Sequence, residues 1–200
     1  MSDASELAPI HSLGEAYLYT RVTPCPLCGG PLDSNEAWFH HDPVRRVLAL
    51  EIACRLCEAP FDKSFDASGV PEEEFAMLTS GPLAPPWNLP AQVLNHTPDP
   101  SHVLDVADWL TLFTVACEEA RIAGDQGLDL CPPDRVAIRR MRLVAGACLD
   151  EALKFFDEDN DLPPDSAFFS DANRNRFWER PQLFTRQYIT DLRFSLMKQG

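Results

Sequence analysis

From residue 15 to residue 70 apolar and polar positions alternate with the short period of β-structure. AYLYTRV does so before a first pair of cysteines, EAWFHHD and RRVLALEIA lead to a second pair, and FDKSFD follows it. Successive side chains of a strand point to opposite faces, so each run reads as a half-buried strand. Gly29-Gly30-Pro31, Asp33-Ser34-Asn35 and Asp42-Pro43 supply turns between them. Beyond residue 100 the period lengthens. Val106, Trp109, Leu110, Phe113, Cys117 and Ala120 recur at spacings of three and four, as do Ile138, Met141, Ala145, Cys148, Leu149, Ala152, Leu153 and Phe156. These are the apolar faces of two long amphipathic helices. Ser101 or Asp105 caps the first and Gly124 ends it; the second runs from about Pro133 to Phe156. Ser170 caps a short helix over DANRNRFWE, Pro181 ends that one, and a last helix covers Leu183 to Met197.

Between the two patterns lies a break. Seven of the 18 prolines fall in residues 71–100: Pro71, Pro82, Pro85, Pro86, Pro90, Pro98 and Pro100. Proline fixes φ and removes a donor, so regular structure is interrupted there. PEEEFAML can form a helical turn or two, and Trp87 suggests a connector that is partly docked. The expected class is α+β. It comprises an N-terminal tail (1–14), a small β domain (15–70), a Pro-rich acidic linker (71–100) and a helical domain of about three to four helices (101–200).

Charge sharpens this division. The chain of 200 residues has a formal net charge of −14. Residues 61–130 hold 12 acids and 2 bases, against 8 and 4 in residues 1–60 and 11 of each in residues 131–200. An acidic middle disfavours nucleic acid, whose affinity rests on Lys and Arg neutralising phosphates, and disfavours anionic membrane surfaces. It suits a basic protein partner or plain solubility. The opening MSDASELAPIHSLGEAYLYT has no basic region and no apolar run of a secretion signal, and no stretch reaches 18 uninterrupted apolar residues. A cytoplasmic setting is therefore expected, in which paired cysteines read as metal ligands or catalytic thiols rather than disulfides. Seven cysteines, an odd number, also fit a closed disulfide frame badly.

The cysteines carry the strongest chemical signal. Cys25-x-x-Cys28 and Cys54-x-x-Cys57 are separated by 25 residues. Each two-residue gap forms a tight turn that aims two sulfurs at one point, and backbone N–H groups of the turn can share their charge. Gly29, directly after Cys28, can take the positive φ that such a turn needs. Two turns facing each other complete a tetrahedral shell, which suits Zn²⁺. A redox-active CPLC is the competing reading, but it calls for one pair at a strand-to-helix junction rather than two pairs among strands and turns.

At this point residues 15–70 resemble a zinc ribbon, with Cys25-Pro26-Leu27-Cys28-Gly29-Gly30 similar to the knuckle of that family. The resemblance implies structural Zn²⁺ on Cys25, Cys28, Cys54 and Cys57. Rubredoxins use a similar knuckle pair for iron, which is the minor alternative. The second knuckle departs from the pattern, because Glu58 stands where glycine is often found, and a less tight turn is expected there. Four-sulfur sites are closed, so this metal should organise a domain short of apolar core rather than perform chemistry.

The remaining candidates are weaker. His40 and His41 lie between the Cys pairs, but four cysteines already fill the shell. His96 and His102 flank prolines and suggest nothing specific. Cys117 and Cys148 fall on apolar helix faces as small hydrophobes, and Cys131 precedes Pro132-Pro133 with no histidine beside it. Asp157, Asp159 and Asp161 open like a calcium loop, but Leu162 and Phe168 stand where glycine and the bidentate Glu are needed. Arg174, Arg176, Arg180 and Arg186 with Phe177 and Trp178 have the chemistry of a nucleic-acid or partner patch; pairing with the acidic loop upstream is the plainer reading. No Ser-His-Asp set, phosphate loop or dinucleotide fingerprint is present. The expectation is a structural-zinc protein that acts as a protein-binding adaptor, or as a regulator or neutraliser of a basic partner. A nucleic-acid-associated ribbon comes second and an enzyme third.

Overall fold

The computed structural model describes residues 7–41, 45–74, 94–95, 97–125 and 132–198. They divide into two compact units. One holds the described residues up to 74 together with 101–103, and the other holds 94–95, 97–100 and the described residues from 104 onward. The class is α+β.

The first unit is a helix and a meander. α1 spans Leu13–Val22; β1 (Leu32–His41), β2 (Arg46–Cys54) and β3 (Pro60–Asp66) form an antiparallel sheet in the order β1-β2-β3. The helix corrects the sequence reading, which took AYLYTRV as a strand. Its start explains the error. Ser12 caps it, accepting the Glu15 N–H at 3.2 Å, while the Glu15 carboxylate reaches back to the His11 N–H at 2.6 Å. A capping pair of this kind satisfies donors that the first turn leaves open, and it outweighs a short alternating pattern. Glu74 adds a third acceptor, its carboxylate 2.8 Å from the Leu13 N–H. Leu13, Ala16, Tyr17 and Leu18 are buried, together with Leu48, Leu50 and Ile52 of β2 and Phe65 of β3. The period of two on β2 thus selects the inward face. Tyr19 meets Phe65 edge-on at 5.5 Å.

Two further details depart from expectation. Asp33-Ser34-Asn35 is no turn: β1 runs through it, and the register steps from Ser34 opposite Ile52 to Glu36 opposite Glu51. Asn35 is the extra residue of a β-bulge, a place where polar turn formers are tolerated within a strand. Ile10, inside the stretch read as a tail, is fully buried, and its N–H bonds the Asp66 carbonyl at 2.9 Å. Asp66 in turn donates to the Ala8 carbonyl at 3.0 Å, so residues 8–10 occupy the free edge of β3.

The second unit is helical: α2 (Val106–Asp125), α3 (Pro132–Leu153), α4 (Asp171–Glu179) and α5 (Arg186–Lys198), with 3₁₀ turns at Asp165–Ala167 and Pro181–Phe184. Among the described residues the helices thus exceed the reading of about three to four in a helical domain, through α1 in the first unit and the two 3₁₀ turns here. Trp109 is fully buried, with Leu112, Ala116 and Ala120 on the same face of α2. That stripe is rotated from the expected one: Leu110, Phe113 and Cys117 are only half-buried. α2 packs against α3, and small residues such as Ala116 and Ala120 on a covered face suit helix–helix packing. On α3 the buried residues begin at Val144; Ile138 and Met141 are half-buried. Phe168, Phe177 and Phe184 form an aromatic cluster, with Phe168 and Phe177 stacked at 4.8 Å.

Asp105 organises the start of α2. It is fully buried and accepts the Ala107 and Asp108 N–H groups at 2.9 Å each, as an N-cap should. It also accepts the Phe169 N–H at 2.9 Å and the Asn173 amide at 2.9 and 3.0 Å. Asn173 reaches Asp108 as well, at 2.9 Å. One amide therefore ties the start of α2 to the start of α4, itself capped by Ser170 as expected. Among the described residues no helix is long and apolar enough to cross a membrane.

Candidate metal centre

The four cysteines arrive from two turns built alike. In the first knuckle the Cys25 N–H donates to the Gly30 carbonyl and the Gly29 N–H to the Cys25 carbonyl, both at 2.8 Å. In the second the Cys54 N–H donates to the Ala59 carbonyl at 3.1 Å and the Glu58 N–H to the Cys54 carbonyl at 3.0 Å. The Leu27 N–H points at the Cys25 sulfur and the Leu56 N–H at the Cys54 sulfur, each at 3.4 Å. The residue after each second cysteine is left-handed: φ is 72° at Gly29 and 55° at Glu58. Glu58 does not loosen its turn, contrary to expectation. It adopts the glycine conformation and bears the strain of a Cβ there.

The knuckles face each other. Cys25 Sγ lies 3.8 Å from Cys57 Sγ, Cys28 Sγ lies 3.4 Å from Cys54 Sγ, and all four sulfurs fall within 4.8 Å of one another. A tetrahedron with metal–sulfur bonds of about 2.3 Å has edges of about 3.8 Å, so the donor set fits a tetrahedral thiophilic ion. The first cysteine of each knuckle is buried and the second exposed. Gly30 permits the approach: a Cβ there would sit 2.9 Å from Leu56 Cγ and 3.1 Å from Cys54 Sγ. Arg55 pairs with Asp33 of β1, and its N–H bonds the Pro31 carbonyl at 3.0 Å, fastening the second knuckle to the first strand. The Arg55 guanidinium holds the Asp33 carboxyl below the usual carboxylate range.

Crowding divides the thiols. The Cys57 N–H, helped by the Leu56 N–H, draws Cys54 down to about 6 against desolvation. At Cys28 the Gly30 N–H favours the thiolate, but the Cys54 and Cys57 sulfurs outweigh it and push the group up to about 12. Cys57 is raised too, its Ala59 N–H outweighed by desolvation and by the Cys54 and Cys25 sulfurs. Four sulfurs this close cannot all ionise unless a cation balances them, which a thiophilic divalent ion would do.

Among the described residues this is the one cluster of His, Cys, Asp and Glu that could hold a metal. His40 and His41 sit opposite Val47 and Arg46, at the far end of the hairpin from the knuckles. The ring of His102 lies 5.6 Å from that of His11. Asp157, Asp159 and Asp161 do not converge. The Asp157 carbonyl takes the Arg186 guanidinium and Asp161 accepts the Gln187 N–H at 3.1 Å, so this loop anchors the start of α5. Arg174 pairs with Asp171 at 2.6 Å and Asp165 at 3.4 Å; Phe177 is core, whereas Trp178 is exposed. Cys148 is fully buried, which raises its thiol. Cys131, Trp87 and His96 lie outside the described residues.

Two features escaped the sequence reading. Leu27 and Leu56 occupy the same position in their knuckles, and each is 72% exposed. The repeated C-x-L-C was legible. Arg135, Arg139 and Arg142 line a groove beside α3, and their spacing of four and three was legible too. Comparison with protein-family models, with curated proteins and with solved structures found no match to the chain.

Proposed function

We propose that the chain is a protein-binding adaptor whose first unit is a rubredoxin-like zinc ribbon with a structural Zn²⁺ on Cys25, Cys28, Cys54 and Cys57. Zinc would supply only the charge and tetrahedral bonding that hold two turns together, since four thiolates leave no position open for water or substrate. The observation that carries the reading is the matched exposure of Leu27 and Leu56 on the knuckles. An apolar side chain held out on a rigid, hydrogen-bonded turn costs little entropy to bind and offers nothing to a phosphate.

The acidic middle of the chain favours a basic partner. Of the three acids at 72–74, the first two would do the steering. Glu72 and Glu73 are exposed, but Glu74 is engaged at the start of α1. The test is affinity purification from native extract with the wild-type chain and with Leu27→Ser/Leu56→Ser. A protein that co-purifies with the first and is lost from the second, at unchanged metal content, supports the proposal. Identical recovery with both, or recovery of nucleic acid that dissociates with rising salt, overturns it. With a partner in hand, Glu72→Gln/Glu73→Gln should slow association more than it speeds dissociation.

A further inference from the structure

α3 is two different helices end to end. From Val144 onward it is core, but its first half faces outward: Arg135, Val136, Arg139, Arg140 and Leu143 are all exposed. Beside that half, α3 and α5 enclose a groove of about 890 Å³. Arg135, Arg139 and Arg142 stand along one wall at helical spacing, and Ile138, Leu143 and Met197 provide apolar surface. Gly146 and Ala147 keep the floor low. Asp150, the one carboxylate that lines it among the described residues, is bound by Arg193, with Nη2 at 3.0 Å from Oδ2. Among the described residues neither Arg135 nor Arg139 forms an ion pair. A chain with 31 acids and 17 bases has thus gathered three arginines onto one wall of this groove.

We infer that this groove binds an acidic amphipathic helix of a partner protein, its carboxylates against Arg135 and Arg139 and its apolar stripe on Ile138, Leu143 and Met197. Charge complementarity selects the sign of the partner, because planar guanidinium groups take carboxylates in bidentate pairs. The apolar surface selects an amphipathic helix over a phosphate backbone, which would leave Leu143 and Met197 uncovered. Length agrees: Arg135 to Asp150 is about 22 Å of helix, the span of about 15 partner residues. The net −14 of the chain does not forbid the encounter, since at 0.15 M salt charges beyond about 8 Å are largely screened. This surface is independent of the metal centre, so the inference stands or falls apart from the adaptor reading.

The experiment uses the full-length chain and two fluorescein-labelled 16-residue helical peptides, one with Glu and Leu in amphipathic register and one with each Glu replaced by Lys. Fluorescence anisotropy at 0.15 M salt should show the Glu peptide binding at least tenfold tighter than the Lys peptide. Arg135→Glu/Arg139→Glu should reverse that preference. Both side chains are exposed, so the fold should survive; the milder Leu143→Gln should weaken the Glu peptide about threefold or more and keep the preference. Equal binding of the two peptides, no binding of either, or indifference to both variants overturns the inference. So does displacement of the Glu peptide by a single-stranded 12-nucleotide DNA, which would make the groove a nucleic-acid site.

Discussion

The two units are ordered by different means. In the second, order comes from volume: Trp109, Leu112, Val144, Leu149, Phe168 and Phe177 fill a common interior, and Asp105 with Asn173 pins two helix starts into it. In the first, the interior lies between α1 and the sheet, around Leu18, Leu50 and Phe65, while the knuckles project from it as turns with exposed tips. The knuckles bury two sulfurs and little else. A turn without apolar contacts needs another source of order, and a four-thiolate metal site is one. The apolar interior of the first unit is larger than the sequence suggested. Metal dependence should therefore be steepest at the knuckles rather than uniform over residues 15–70.

The largest expected effect separates the units outright. Chelation, or Cys54→Ser, should free the amides of Leu27, Gly29, Leu56 and Glu58 to hydrogen exchange while those around Trp109 stay protected. Binding energy for such sites is about 10 kcal/mol or more, so no other single change should compare. Less than about half an equivalent of transition metal in protein purified without chelator, or unchanged knuckle protection after chelation, would remove the metal from the account.

Trp109→Ala is the converse experiment. A fully buried indole replaced by a methyl should cost the helical unit about 3–5 kcal/mol and leave metal content unchanged. Thermal unfolding that shows no shift would mean that α2 presents this face to something other than its own core.

The third effect depends on pH and belongs to the helical unit alone. Burial, and then the nearby Asp105 carboxylate, push the Asp108 carboxyl up to about 6, against the Asn173 amide, the Asp105 N–H and Arg176. The folded state then holds a proton that the unfolded chain has released, so stability falls as pH rises from about 4 to about 6. The decline should amount to about 1–3 kcal/mol. Asp108→Asn should abolish it, as read by urea unfolding across that range; a variant with the wild-type slope would assign the titration elsewhere.

The smallest effect compares the two knuckles with each other. Glu58→Gly relieves a left-handed Cβ and should stabilise the second knuckle by about 0.5–1 kcal/mol. Gly29→Ala should destabilise the first by about 1 kcal/mol, for the backbone alone, since no atom lies within 4 Å of the added Cβ. Chelator competition measures both. Opposite signs would confirm that the turns are conformational equals, and a shared sign would refute it.

Much of this protein could be read from its residues in order. The spacing of Cys25, Cys28, Cys54 and Cys57 predicted four sulfurs gathered at one point before any fold was known, because a two-residue gap has few ways to close. Ser170 and the alternation of β2 were as direct, since each is settled by neighbours in sequence. Tertiary structure alone decided the rest. AYLYTRV became a helix because Ser12, Glu15 and the distant Glu74 capped it. The buried stripe of α2 turned to Trp109, Leu112, Ala116 and Ala120 because packing with α3 and the other helices of this unit decides which face is covered. Glu74 left the acidic run for a structural role through a bond that spans 61 residues. Local pattern specifies what a segment can do on its own; which face is covered and which charge is left over depend on partners that the chain supplies from far away.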